Sequence, residues 1–273
     1  FIYGGEAHFD NMKSFFLGNG FQVITEEKNY ISPVFTGSWG VSDEDLFNKA
    51  DQRFTALKKA NKAFFSLLFT SSNHIPFEYP DGRIEAYEKT HDTRNNAIKY
   101  ADFALGEFFK KVKQSNYWED TVFLIIADHD ANAHGKSLVP PKSFHIPALI
   151  LAKDILIRRD SMVRSQLDMP PTLLSLIGID NENPMIGHDL TQIESSAENR
   201  ALMQYGDNFA LLEGGNMTIL QPGKSAKSFF FNKNTFSLLG EGTELSKEDT
   251  NRALAISSWG KYAYSHQLYH LPK

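Results

Sequence analysis

Val122-Phe123-Leu124-Ile125-Ile126-Ala127-Asp128-His129 is the stretch that decides the fold. Six apolar residues without polar alternation describe a strand buried on both faces, as in a parallel sheet covered by helices. Polar side chains that follow such a strand belong at its carboxyl edge, where open α/β sheets place their ligands. There Asp128 and His129 offer one hard oxygen and one imidazole nitrogen, a compact metal-binding pair. The same residues also fit a strand followed by a turn in which Asp128 caps the next element, and the local sequence leaves both readings open.

Working outward, a second apolar run, Ala63-Phe64-Phe65-Ser66-Leu67-Leu68-Phe69-Thr70, stops at Ser71-Ser72-Asn73-His74. Two such ends on neighbouring strands of one sheet converge on a single pocket. That sets Asp128, His129 and His74 apart from the other histidines. Imidazole suits metal ligation or proton transfer to a leaving oxygen.

The remaining elements alternate in α/β order. Short strands are expected at Phe1–Tyr3 and Phe21–Thr25, with a helix between them. Ser42, followed by Glu44 and Asp45, caps a helix to about Lys59. A long helix from about His91 to Gln114 carries the stripe Ile98, Ala101, Leu105, Phe108 and Val112. A strand at Ile146–Ala152 precedes a helix that opens at Asp168-Met169-Pro170-Pro171. From about Ala201, short runs separated by Gly, Asn and Lys turns read as a small antiparallel sheet, closed by a helix from about Lys247 to Tyr269. The expected organisation is therefore residues 1–200 as a mostly parallel α/β portion and residues 201–273 as a small antiparallel subdomain with a terminal helix.

Among the 273 residues, 41% are hydrophobic and 22% charged, which is ordinary globular composition. The net charge of −5 has no long runs of one sign, so nucleic acid is not an expected partner. With no cysteines, thiolate metal sites, disulfides and cysteine nucleophiles are excluded. No stretch approaches the ~20 apolar residues of a membrane span. The opening Phe1-Ile2-Tyr3-Gly4-Gly5 lacks Met and reads as a strand entering a glycine turn, so the start is expected to lie inside a domain. Neither a G-x-S-x-G elbow nor a P-loop pattern is present, which argues against a serine hydrolase or an NTP-binding enzyme.

Other polar residues have two readings each. Asp10 and Asn11 follow the first strand on the same expected edge, or cap the next helix. Trp39, between glycine-containing turns, stacks on substrate or plugs the core. His145, before Ile146-Pro147, faces the pocket or pairs locally. His134 lies in a loop of no fixed geometry. His91, His188, His266 and His270 lack convergent partners and read as surface or capping residues.

The ordered series Tyr3-Gly4-Gly5, Phe9-Asp10-Asn11, Trp39-Gly40-Val41-Ser42-Asp43-Glu44-Asp45-Leu46-Phe47, Ser72-Asn73-His74-Ile75-Pro76-Phe77 and Ala127-Asp128-His129 resembles the catalytic domain of lipoteichoic acid synthase-like phosphoglycerol transferases. These belong to the sulfatase and alkaline phosphatase superfamily. Phe144-His145-Ile146-Pro147, Leu167-Asp168-Met169-Pro170-Pro171-Thr172-Leu173-Leu174 and Gly187-His188-Asp189-Leu190 extend the match to about residue 190. The resemblance implies transfer or hydrolysis of a phosphoryl-type group through a covalent Thr or Ser intermediate. It also implies a divalent cation, Mn2+ first, with Mg2+, Zn2+ or Ca2+ as alternatives. On this resemblance Asp128 and His129 are metal ligands, and His74 contacts the transferred group or assists the leaving oxygen. Asp10, Asn11, Trp39, Asn73 and His145 are assigned to substrate binding.

The family's nucleophile and early acidic ligand are expected upstream of Phe1. So are membrane helices anchoring the protein in a bacterial inner membrane with the domain on the periplasmic side. The expected partners are a phospholipid or glycan substrate and that upstream portion of the same protein. Residues 1–273 alone are expected to be inactive, and soluble only in association with the upstream portion. Phe9-Asp10-Asn11-Met12 lacks the tryptophan and arginine that lipoteichoic acid synthases use there, so a different substrate is expected. A catalytically inactive module for lipid binding or envelope assembly is the alternative.

Overall fold

The computed structural model describes residues 1–130, 137–179, 183–192 and 199–270, and His134 lies outside the described residues. The chain forms two compact units, Phe1–Thr121 and Val122–Lys273. It is α/β, with the expected small antiparallel sheet and closing helix in the second unit.

In the first unit, β1 (Ile2–Tyr3) runs into the 3-10 turn Phe9–Asn11 and helix α1 (Met12–Gly18). A tight hairpin follows, β2 (Thr36–Gly37) with β3 (Gly40–Val41), then helix α2 (Asp43–Lys59). The hairpin closes against the end of β1, where Val41 donates its N–H to the Gly4 carbonyl at 3.0 Å. Gly40 is required there: its φ is +97°, and a Cβ would stand 2.2 Å from the Gly4 oxygen. Strand β4 (Leu68–Phe69) pairs in parallel with β1, and Thr25 bridges Ile2 in parallel.

Helix α2 starts where Ser42 accepts the N–H of Asp45, and three acidic residues in its first turn face Lys58 and Lys59 in its last. It packs on α3 (Arg94–Val112), whose Phe108 stacks on Phe47 with ring centroids 4.9 Å apart. The buried face of α3 runs through Ala97, Tyr100, Ala104, Phe108 and Val112, while Ile98 is 47% exposed. This corrects the expected stripe by one position in its first half. Ala97 and Ala104 are buried, and aliphatic Ile98 is turned outward.

In the second unit, β5 (Phe123–Ile126) pairs antiparallel with β6 (Ala148–Leu151), Phe123 opposite Leu151 and Ile126 opposite Ala148. The β5 side chains are half-buried. The expected parallel, doubly covered setting for this strand is thus replaced, among the described residues, by an antiparallel partner. Among the described residues β4 pairs with β1 and β5 with β6. Helix α4 (Met169–Leu176) carries Pro in its first turn, as expected.

Strands β7 (Arg200–Tyr205), β8 (Asn208–Glu213), β9 (Asn216–Leu220), β10 (Lys227–Asn232) and β11 (Ser237–Glu244) form an antiparallel meander. The β8–β9 turn uses Gly214 and Gly215, both at positive φ, as a two-residue hairpin requires. One core of this unit gathers Val139, Met203, Ala210, Leu212, Met217 and Ile219. Leu211, Leu220 and Ala226 pack instead with Ala253 of helix α5 (Lys247–Ser265). Period-2 alternation along β8 produces this two-sided burial. No helix among the described residues is long and apolar enough to cross a membrane.

Candidate functional site

In the first unit the polar end of β4 is built from two loops and one helix N-terminus. His74 closes a turn by donating its N–H to the Ser71 carbonyl at 2.9 Å. Its ring lies 4.2 Å from that of Trp39, tilted by 57°, and Phe9 meets the same indole edge-on at 5.2 Å. The indole Nε1–H donates to the Ile75 carbonyl at 2.6 Å, and the Ser71 hydroxyl to the Trp39 carbonyl at 3.4 Å. Trp39 is therefore pinned between the loops and still half-exposed.

His74 Nδ1 lies 2.9 Å from the Ile75 carbonyl oxygen. A carbonyl only accepts, so the proton sits on Nδ1 and the lone pair on Nε2. The exposed imidazole thus presents a base, or once protonated an acid, at one defined nitrogen. The cleft beneath, lined by Trp39, Ser71, Ser72, His74 and Glu78, has a volume of about 10 Å³, room for a single water.

Asp43, 1% exposed at the start of α2, anchors this loop. Its Oδ1 accepts the N–H groups of Ser71 and Ser72, each at 3.1 Å, while its own N–H donates to Ser72 Oγ at 3.0 Å. Burial pushes its carboxyl above the usual range against these stabilising hydrogen bonds. Two positions on, the Asp45 carboxylate accepts the N–H groups of Val34 and Phe35, at the head of the loop that carries Trp39.

Asp10 and Asn11 stand at φ 50° and 57°, left-handed, and Asn11 makes no side-chain cap to α1. Asn11 thus occupies the N-cap position of α1 without a capping hydrogen bond. Both side chains are exposed beside Phe9, held at a backbone cost of about 1 kcal/mol each. The turn is fastened by Glu26, which accepts from Ala7 N–H and Lys13 Nζ and pairs with Lys28. Hydrogen bonds from Lys28 and then Lys13 bring the Glu26 carboxyl down to about 2. Asn73 is exposed in the His74 turn.

In the second unit, His129 Nε2 lies 3.3 Å from Asp128 Oδ2. His129 Nδ1–H donates to the Asp130 carbonyl at 2.9 Å, and the His129 N–H donates to Asp128 Oδ1 at 2.8 Å. Two ligand atoms each about 2.1 Å from one cation stand roughly 3.0–3.4 Å apart at angles of about 90–110°. The pair fits that geometry. A ring whose second nitrogen is tied to a backbone carbonyl is the usual state of a metal-bound histidine. No group of three or more His, Cys, Asp or Glu placed to hold a metal ion occurs among the described residues.

Gln166 steadies this strand end, its Nε2 donating to the carbonyls of Ala127 at 2.9 Å and Asp128 at 3.0 Å. Buried Asp168 next to it accepts the N–H groups of Ser165 and His188, both at 2.8 Å. His188, read from sequence as surface or cap, is thus latched to a buried carboxylate. His145 is exposed and stacks on Phe236 at 4.6 Å.

Asp43, Asp45, Gln166 and Asp168 escaped the sequence reading in these roles. In the sequence Asp45 reads as first-turn helix charge and as part of a family motif, and Asp43 only as part of that motif. The local signals are the acidic cluster at the start of α2 and the place of Asp168 at the start of α4.

The sulfatase family model matches residues 1–179. The chain is 29% identical over 199 residues to phosphoglycerol transferase I of Xanthomonas campestris pv. campestris, covering 65% of this chain and 27% of that protein. It is 26% identical over 184 residues to the lipoteichoic acid synthase-like protein YvgJ of Bacillus subtilis, covering 59% and 29%. Among solved structures, a protein in the alkaline phosphatase superfamily from Vibrio parahaemolyticus is 53% identical with a TM-score of 0.93, covering 99% of this chain and 66% of that one. The lipoteichoic acid synthase LtaP from Listeria monocytogenes shares the fold, with 23% identity and a TM-score of 0.73 over 97% of this chain and 68% of that one. The chain spans under a third of the length of these curated relatives.

Proposed function

The chain belongs to the sulfatase family, and on that premise we propose that it serves metal-dependent transfer or hydrolysis of a phosphoryl-type group, of the phosphoglycerol transferase kind. The Asp128–His129 pair carries this reading, with its two donor atoms at the separation one cation needs and its imidazole tautomer already set. These two residues would hold a divalent cation, Mn2+ first. When bound, such an ion activates a Thr or Ser hydroxyl and stabilises negative charge on a phosphoryl oxygen.

The residues of the chain divide the remaining work. His74, its Nδ1–H held by the Ile75 carbonyl, delivers a proton from Nε2 to the leaving oxygen. Trp39 holds the His74 ring and offers a stacking surface with Phe9. Asp10, Asn11 and Asn73 supply exposed polar contacts for a phospholipid headgroup or a glycan, and His145 is assigned the same task. The reading gives the nucleophile to none of these residues. An envelope setting at the periplasmic face of the inner membrane belongs to the same proposal, as the motif resemblance implies.

The test is metal-dependent phosphodiester turnover by the protein as the cell makes it, with Asp128→Asn, His129→Ala and His74→Ala compared singly. Each is expected to lower kcat by at least 100-fold. Unchanged turnover in both Asp128→Asn and His129→Ala would refute the reading.

A further inference from the structure

We propose that Asp43 is the positioning residue for His74, setting the orientation and tautomer of its imidazole through the backbone of the Ser71–His74 turn. This rests on the role given to His74 above. Three observations carry it.

First, the Asp43 carboxylate does not cap its own helix, a task Ser42 performs for Asp45 N–H. It reaches across to two consecutive N–H groups, Ser71 and Ser72, and Ser72 Oγ returns the contact to Asp43 N. Three hydrogen bonds thus lock one turn of chain onto the first turn of α2.

Second, no Lys, Arg or His forms an ion pair with Asp43 among the described residues. A carboxylate 1% exposed and compensated only by N–H and O–H dipoles is an expensive way to fasten a loop. Its geometry is correspondingly strict, since a displaced loop would leave the carboxylate unsatisfied.

Third, the locked turn ends in His74, whose N–H bonds back to Ser71 O and whose Nδ1–H meets the Ile75 carbonyl. That carbonyl is held from the other side by the Trp39 indole. Asp43 fixes the start of the turn and Trp39 its end. Rotation of the Ser71–Ser72 peptides would carry the Ile75 carbonyl away from Nδ1 and free the ring to take the other tautomer.

The experiment compares Asp43→Ala, Asp43→Asn, His74→Ala and the Asp43→Ala/His74→Ala double variant in the whole protein. It reads kcat and KM, thermal unfolding, and the His74 ring nitrogens by 15N NMR. Asp43→Ala is expected to lower kcat roughly 10- to 100-fold with KM within about threefold. His74 should lose its single Nδ1–H tautomer. Asp43→Asn keeps an accepting oxygen of the same shape and is expected to restore both readouts to within several-fold. In the His74→Ala background, removing Asp43 should cost less than about twofold more.

An unchanged His74 tautomer in folded Asp43→Ala would overturn the proposal. Costs that multiply in the double variant would do the same. If His74→Ala alone keeps full turnover, the catalytic role of His74 fails instead. The NMR readout then still decides whether Asp43 sets that ring.

Discussion

The imidazole of His74 rests 4.2 Å from the indole of Trp39, and that indole donates its N–H to the carbonyl of the residue after His74. One side chain therefore holds the ring by contact and its hydrogen-bond acceptor by a 2.6 Å bond. Trp39→Phe keeps the first function and loses the second, whereas Trp39→Ala loses both. Turnover is expected to fall several-fold in Trp39→Phe and at least 10-fold further in Trp39→Ala, about 1.4 kcal/mol per tenfold step. Steady-state kinetics on the two variants checks the order.

Gln166 is expected to tune metal affinity without touching the metal. Its amide holds the consecutive carbonyls of Ala127 and Asp128, so Gln166→Leu should let the strand end relax. Outer partners of this kind are typically worth 10–100-fold in affinity. Titration of the whole protein with Mn2+, followed by electron paramagnetic resonance, measures the loss.

Glu26 makes stability depend on acid pH. Its folded value of about 2 lies below the ordinary 4.5, so its contribution is complete above 4.5 and is lost as pH falls through about 2. Lys28 and Lys13 are substantially exposed, so screening limits the effect to roughly 1–2 kcal/mol. Denaturant midpoints between pH 5 and 2.5 should fall less steeply in Glu26→Gln than in the parent.

Gly187 packs against the chain that carries Asp168. A Cβ there would stand 1.7 Å from the Leu167 oxygen. Gly187→Ala must push that segment aside and disturb the His188–Asp168 bond, costing about 2 kcal/mol or more in unfolding free energy. Gly106→Ala, where a Cβ meets nothing within 4 Å, is the control and should be neutral or stabilising by helix propensity.

Much of this was legible in the residues themselves. Asp128-His129 stood out because an unbroken apolar run should not end in two polar side chains without a use for them. Ser42 and the acidic residues after it marked the start of α2, and the Gly-rich spacing after Ala201 marked the meander. The pairing of β5 was not legible, because an apolar run specifies neither the direction of its neighbour nor what covers its faces. The phase of α3 slipped by one position because Ile98 and Tyr100 both satisfy a helical stripe, and only the packing against α2 selects Tyr100. Asp43 was hidden for a different reason: its partners lie 28 and 29 residues away, so its meaning is tertiary.

Metal affinity at Asp128 and His129 is the most direct test of the central claim. Calorimetric titration of the whole protein with Mn2+ should show one tight site whose affinity falls at least 100-fold in Asp128→Ala/His129→Ala, together with loss of turnover. Unchanged affinity and full metal-dependent turnover in that double variant would contradict the account.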